Sequence, residues 1–314
     1  MKIATILVPY DATMDSENAL FESEKLAKIF HAKIVILFVI EERFFFKPYI
    51  KIKKDKESIE SKRLELVKLI EDKASNIIEK KVHKFRQEGI DTDYKIEVGI
   101  PTEIILKFTK DINADLIVMG KKGLRKLGKI KAIGSVSRNI AENSHIPVIL
   151  VAKSDKNQYK KILVPYDLQD SELSNRVLEN ALMMKYSIKE CHIVVVNIIP
   201  EIPIPPFASD IQMKSKITGD AISVREYFKE LYQEIKKDTE IEIKKRIEKD
   251  MNNIEIKTSY GNIADKLIEF VEKENINFVI MGLNPLKGIS KIVALGSISR
   301  RLAESIDCPI MLVK

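Results

Sequence analysis

Tryptophan is absent from this chain of 314 residues, and cysteine occurs only twice. Two thiols, Cys191 and Cys308, each beside an apolar run, do not make a disulfide framework and read as buried, reduced side chains. The four histidines (His31, His83, His145, His192) lack metal-ligand spacing. Long hydrophobic runs are missing as well. Ile34 to Ile40 and Ile193 to Ile199 have strand length, far short of the roughly 20 residues that a membrane helix needs. Polar Asp11 arrives too early for a signal-peptide core, so the expectation is a soluble, cytoplasmic protein. There is no Gly-x4-Gly-Lys-Ser/Thr loop, no Gly-x-Gly-x-x-Gly after a strand, no Gly-x-Ser-x-Gly elbow and no kinase motif set. These absences argue against P-loop ATPases, dinucleotide oxidoreductases, α/β-hydrolases and kinases. No base is set on a nucleophile, so catalytic residues and metal ligands are not assigned.

What is present is ordinary in amount and unusual in arrangement. The length suggests two domains, each large enough for its own core, and 45% hydrophobic residues is normal for a globular chain. The net charge of +7 comes with Lys and Glu mixed throughout, which fits solvated helix faces. It gives little support to nucleic acid as a partner.

The two halves repeat from end to end. Ile6-Leu7-Val8-Pro9-Tyr10-Asp11 returns as Ile162-Leu163-Val164-Pro165-Tyr166-Asp167. Helices are expected over 16–30 and 171–186, strands over 33–40 and 191–199, and long charged helices over 57–88 and 222–250. Strands follow over 93–98 and 254–259, then helices over 101–112 and 262–274. Each half closes on a strand led by proline, Pro147-Val148-Ile149-Leu150-Val151 and Pro309-Ile310-Met311-Leu312-Val313. Alternating strands and helices with near-continuous Val, Ile and Leu predict an α/β fold of two tandem, doubly wound domains. The expected boundaries are 1–153, a polar linker at 154–159, and 160–314.

A glycine-rich stretch also occurs twice. The first copy is Met119-Gly120-x2-Gly123, ten residues, then Gly134-Ser135-Val136-Ser137-Arg138. The second is Met281-Gly282-x2-Pro285, ten residues, then Gly296-Ser297-Ile298-Ser299-Arg300. A strand, a glycine loop and a helix that opens with Gly-Ser suit phosphate, since small residues let the backbone approach and free N–H groups favour an anion. The copies are unequal. Proline at 285 fixes φ and removes a donor. Residues 121–138 carry seven Lys or Arg and no acid, whereas residues 283–301 carry four and no acid. The alternative is a solvated basic loop.

Taken together, the opening Ile-Leu-Val-Pro-x-Asp, the Asp115-Leu-Ile-Val-Met-Gly120 strand, the Gly-Ser helix start and the Ile-Pro-Val-x-Leu-Val ending resemble the universal stress protein family in its tandem form. The resemblance covers nearly the whole chain. It implies five-stranded parallel sheets of order 3-2-1-4-5, with ligand at the switch point between strands 1 and 4. It implies ATP, with or without Mg2+, on a regulatory stress-response protein that catalyses slowly at most. By this resemblance Pro9, Tyr10, Asp11 and Val39 contact base and ribose, and Met119 faces the base. Gly120 and Gly123 flank ribose and phosphate, and Gly134, Ser135, Val136 and Ser137 supply N–H groups and hydroxyls to the phosphates. The weaker second set is Pro165, Tyr166, Asp167, Ile198, Gly282, Gly296, Ser297 and Ser299. ATP-binding members carry nine residues, not ten, between the second and third glycines.

Other roles compete for these residues. Asp11 suits a helix cap, although Asp15 and Ser16 are better placed for it. Met119 suits the core, and Ser135 and Ser297 suit N-caps. An interaction module of the same fold that binds no nucleotide is the rival reading. A third is a polyanion or membrane-surface binder using residues 43–63, where aromatics sit among eight basic and three acidic side chains. Pairing of the two closing strands as an intramolecular pseudo-dimer is expected, with a homodimer and an unnamed protein partner left open.

Overall fold

Thr5–Tyr10 (β1) is aliphatic at its centre, and Ile6, Leu7 and Val8 are fully buried. Such a strand needs cover on both faces, and the chain alternates strand and helix accordingly. The computed structural model describes residues 3–41, 56–123, 132–154, 159–168, 171–201, 203–208, 211–247, 252–283 and 295–314. The basic aromatic segment largely falls outside these residues, as do Pro285 and the lysines and arginine between 124 and 131.

The first half runs β1, α1 (Met14–Phe30), β2 (Lys33–Ile40), α2 (Lys56–Gln87), β3 (Thr92–Val98), α3 (Pro101–Asp111), β4 (Leu116–Gly120), α4 (Ser135–Asn143) and β5 (Val148–Val151). The second runs β6 (Lys161–Pro165), α5 (Ser171–Ser187), β7 (His192–Pro200), a 3-10 turn at Pro206–Ala208, β8 (Gln212–Lys214), β9 (Ala221–Ser223) and α6 (Val224–Ile247). It closes with β10 (Ile254–Gly261), α7 (Ile263–Lys273), β11 (Phe278–Gly282), α8 (Ser297–Ser305) and β12 (Ile310–Val313). The antiparallel hairpin β8–β9 stands between the strand expected over 191–199 and the long helix expected over 222–250.

Local chemistry explains the boundaries. Thr13 caps α1 by accepting from Ser16 N at 3.4 Å, and His31 closes it in the left-handed conformation. Helix α1 thus begins two residues before the expected Ser16, and neither Asp15 nor Ser16 is its cap. Pro101 opens α3, where its missing N–H costs nothing. Asn262 caps α7 by accepting from Asp265 N at 3.1 Å. On α2 the buried residues Ala74, Ile78, Val82 and Phe85 recur at helical spacing, so one stripe of this charged helix faces the core.

The chain forms two compact units. One contains Met1–Gln158 with Leu283–Gly296 and Asp307–Lys314, and the other contains Tyr159–Gly282 with Ser297–Ile306. In the first unit the strands lie in the order β3-β2-β1-β4-β5, all parallel. Tyr10 aligns with Phe38, and Gly120 aligns with Val151. The same unit holds β12, which pairs antiparallel with β5 through Ile310 with Leu150 and Leu312 with Val148. In the second unit the parallel order is β10-β7-β6-β11. Both halves pin strand 1 in one way: Asp115 Oδ2 accepts from Ala4 N and Thr5 N, and Asn277 Oδ1 accepts from Lys161 N.

Candidate functional site

The strand order reverses between β1 and β4, so a crevice is expected beyond their carboxyl ends. The residues that meet there come from the β1–α1 turn, the end of β4 and the start of α4. Asp11 follows β1, and its Oδ1 accepts from Thr13 N at 3.1 Å and from Thr13 Oγ1 at 2.6 Å. Its own amide donates to Ser16 Oγ at 3.4 Å. A methyl group built on Gly123 would stand 3.0 Å from Asp11 Oδ2. The carboxylate and the glycine loop therefore touch.

The start of α4 closes on the same loop. Gly134 N donates to Lys121 O at 2.9 Å, and a methyl group on Gly134 would lie 3.5 Å from Gly123 N. Gly134 is the N-cap of α4 and has no side chain to satisfy the first-turn amides. Ser135 is exposed and Val136 half-buried at this helix start. Ser137 is buried and donates through Oγ to Gly120 O at 2.8 Å. Its hydroxyl proton thus serves the loop.

The other first-half candidates are more withdrawn. Pro9 and Met119 are buried, and Val39 is half-buried at the end of β2. The Tyr10 hydroxyl donates to Glu17 Oε1, which also accepts from Lys81 Nζ at 2.8 Å. Burial, reinforced by the Glu17 carboxylate, raises the Tyr10 phenol above its ordinary range. The Tyr10 side chain is thereby committed to α1 and α2. Lys121, one of the seven basic residues counted in the loop, is 4% exposed, and its charge acts on the Cys308 thiol. Burial pushes the Cys308 thiol up to about 12 and that of Cys191 to about 11, so both stay protonated at neutral pH.

The second half repeats the frame with other contacts. Asp167 N donates to Ser174 Oγ at 3.0 Å, and Ser174 Oγ donates to Asp167 O at 2.8 Å. Tyr166 is buried and its hydroxyl donates to Asn175 Oδ1 at 2.9 Å. Its carbonyl accepts from Asn197 Nδ2 at 2.8 Å. Pro165 and Gly296 are half-buried, Asp167 and Ser297 exposed, and Ile198 and Ser299 buried. A methyl group on Gly282 would fall 2.6 Å from the Leu173 side chain.

A cleft of about 660 Å³ opens in the second unit, beyond the ends of β7 and β10. Its walls include Pro200, Glu201, Gly261, Asn262, Ser297 and Arg301, and Arg301 is paired with Asp265. Of the second-half candidates, Ser297 alone is on its wall. Thr13 and Ser16 contact Asp11, and Asp15 contacts Lys122; the sequence reading weighs Asp15 and Ser16 only as helix caps, counts Lys122 only as a charge, and leaves Thr13 unassigned. The Asp-x-Thr-x-x-Ser spacing from Asp11 is the signal that points to the first two.

The model of the Universal stress protein family matches residues 2–152 and again residues 158–314. Universal stress protein MJ0577 of Methanocaldococcus jannaschii is 29% identical over 159 residues, which cover 48% of this chain and 95% of that protein. Universal stress protein MJ0531 of the same organism is 28% identical over 152 residues, 48% of this chain and 83% of that protein. Among solved structures, a universal stress protein from Archaeoglobus fulgidus superposes with a TM-score of 0.65 at 20% identity, covering 100% of this chain and 97% of its own.

Proposed function

Since the chain belongs to the universal stress protein family, we propose that its first half binds ATP and that the protein acts as a nucleotide-dependent regulator with at most slow hydrolysis. The observation that carries this reading is the meeting of Asp11, Gly123 and Gly134 at the reversal between β1 and β4. A carboxylate there suits the amino group of adenine or a ribose hydroxyl. The first-turn amides of α4, at Ser135, Val136 and Ser137, suit phosphate oxygens, and the helix dipole favours the anion. Lys122 and Arg138 add positive charge close by. Mg2+ would enter with the phosphates, and among the described residues no cluster of His, Cys, Asp and Glu is arranged to hold it independently. No helix among the described residues is long and apolar enough to cross a membrane.

The test is nucleotide carried through purification. Heat-denatured protein is expected to release adenine nucleotide, and Gly123→Pro and Gly134→Trp are expected to abolish its capture. Gly123→Pro removes an amide donor and places a ring against Asp11. Protein that is free of nucleotide and has no affinity for ATP in the presence of Mg2+ overturns the reading.

A second reading has its own support. Asp11 already accepts two hydrogen bonds from Thr13, and the 660 Å³ cleft lies in the other unit. In that case the protein is an interaction module, and ATP leaves the binding of its partner unchanged.

A further inference from the structure

The β1–α1 turn grips the glycine loop at a second point, distinct from Asp11. Asp15 stands in the first turn of α1, and its Oδ2 accepts from Lys122 N at 2.9 Å across 107 residues of chain. The main chain at Asp15 and Ser16 packs on Gly120, where a methyl group would come within 2.8 Å of Asp15 C and 2.9 Å of Ser16 N. Lys121, between these contacts, donates through N to Val151 O at 2.8 Å. Gly120, Lys121 and Lys122 are thus fixed in succession, and Gly123 follows directly.

The second half supplies an internal control. Asp11 N and Asp167 N both donate to a serine hydroxyl, Ser16 and Ser174, so the residues just before, Asp15 and Leu173, correspond. Leu173 has no acceptor on its side chain. It fills the space over Gly282 with carbon.

We propose that Asp15 is a positioning residue of the first glycine loop, which holds the Lys122 amide so that Gly123 stays against Asp11. Its consequence for ligand rests on the nucleotide reading above, but the latch itself does not. What the latch requires of residue 15 is an acceptor oxygen. The negative charge at a helix N-terminus is a separate contribution, which asparagine would lose as fully as leucine does. Asparagine keeps a carbonyl oxygen, and leucine reproduces residue 173.

The test uses the full-length protein and two measurements. In nucleotide-free protein, hydrogen exchange at the Lys122 amide is expected to quicken about tenfold or more in Asp15→Leu and to stay within about threefold of the parent in Asp15→Asn. ATP affinity is expected to fall about tenfold in Asp15→Leu and to be largely retained in Asp15→Asn. Asp15→Ala repeats the comparison without added bulk if the leucine variant misfolds. Unchanged exchange at Lys122 in Asp15→Leu and Asp15→Ala overturns the latch. Equal loss in the asparagine and leucine variants also overturns it and assigns the effect to the helix dipole. If the parent protein binds no ATP, the nucleotide reading fails and the exchange measurement alone decides the latch.

Discussion

The turns after β1 and after β6 start from the same hexapeptide pattern and reach the same place by different chemistry. After β1 the grip on the glycine strand end is polar: Asp15 holds Lys122 N, and Glu17 takes the Tyr10 hydroxyl. After β6 it is less so. Leu173 covers Gly282, and neutral Asn175 replaces Glu17 as partner of the tyrosine. Even the residue after the strand glycine changes, from Lys121 to Leu283, although both amides bond to the closing strand, at Val151 O and Val313 O. Gly120 is required because main chain lies against it, and main chain cannot step aside. Gly282 is required because a side chain lies there, and a side chain can turn. Equal glycines in a repeat therefore need not be equally constrained.

This contrast can be broken most forcefully at the glycines themselves. Gly120→Ala should destabilise the protein by about 1–3 kcal/mol, since the new methyl group meets backbone of α1 at 2.8 Å. Gly282→Ala should cost clearly less, and less still when it is introduced into a Leu173→Ala background, where the opposing side chain is gone. Urea denaturation of these variants and of Leu173→Ala alone measures both effects, and a Gly282→Ala cost that matches Gly120→Ala would erase the distinction. The tyrosines come next. Tyr10→Phe removes a hydrogen bond to a carboxylate and should cost about 1.5 kcal/mol, against about 1 kcal/mol for Tyr166→Phe, whose acceptor is neutral. Equal thermal shifts in the two variants would remove charge as the difference.

The smallest effect lies at the opposite end of the second sheet. There Glu274 Oε2 accepts from Lys161 at 2.5 Å and Oε1 from Lys257 at 2.5 Å. Those two hydrogen bonds hold its carboxyl down at about 2, below the ordinary 4.5. The folded state thus keeps this carboxylate ionised where the unfolded chain would protonate it. Its contribution is complete above pH 4.5 and disappears as pH falls toward 2. Because the pair is half-exposed, Glu274→Gln should cost under about 1 kcal/mol near neutrality and flatten the acid limb of stability. An unchanged acid limb would show that the pair contributes nothing.

Much of the fold was legible because its signals are local. Apolar runs at Ile6–Val8, Ile34–Ile40 and Leu116–Met119 are short and rich in Ile and Val, which favours buried strands, and the 33–40 strand has the bounds expected of it. Proline before Val148 and Ile310 marks where β5 and β12 begin. Helix starts were less legible. Thr13 and Ser16 hydrogen-bond to each other's main chain, so which one caps α1 depends on the path of the turn. The hairpin β8–β9 was hidden because Gln212–Lys214 and Ala221–Ser223 are three residues each and lack a hydrophobic alternation long enough to read.

The candidate site was legible in its glycines and in Asp11, and illegible in what surrounds them. Lys121 and Lys122 look alike in sequence. Yet Lys121 is a buried side chain, and the Lys122 amide donates to Asp15. Ser137 reads as a donor to phosphate, and its hydroxyl bonds to Gly120 O. Asp15 reads as a helix cap, and it is a contact to residue 122.

The sequence by itself determined the doubled α/β plan, the order of strands and helices apart from the β8–β9 hairpin, and the family to which the chain belongs. These follow from hydrophobic periodicity and from short motifs, which act within a few residues. Only the tertiary structure decided which acid meets which amide. Asp15 and Lys122 are 107 positions apart, and Asp11 and Gly123 are 112 apart in number. Each pair becomes neighbours because parallel pairing of β1 with β4 carries the ends of both strands to one edge of the sheet.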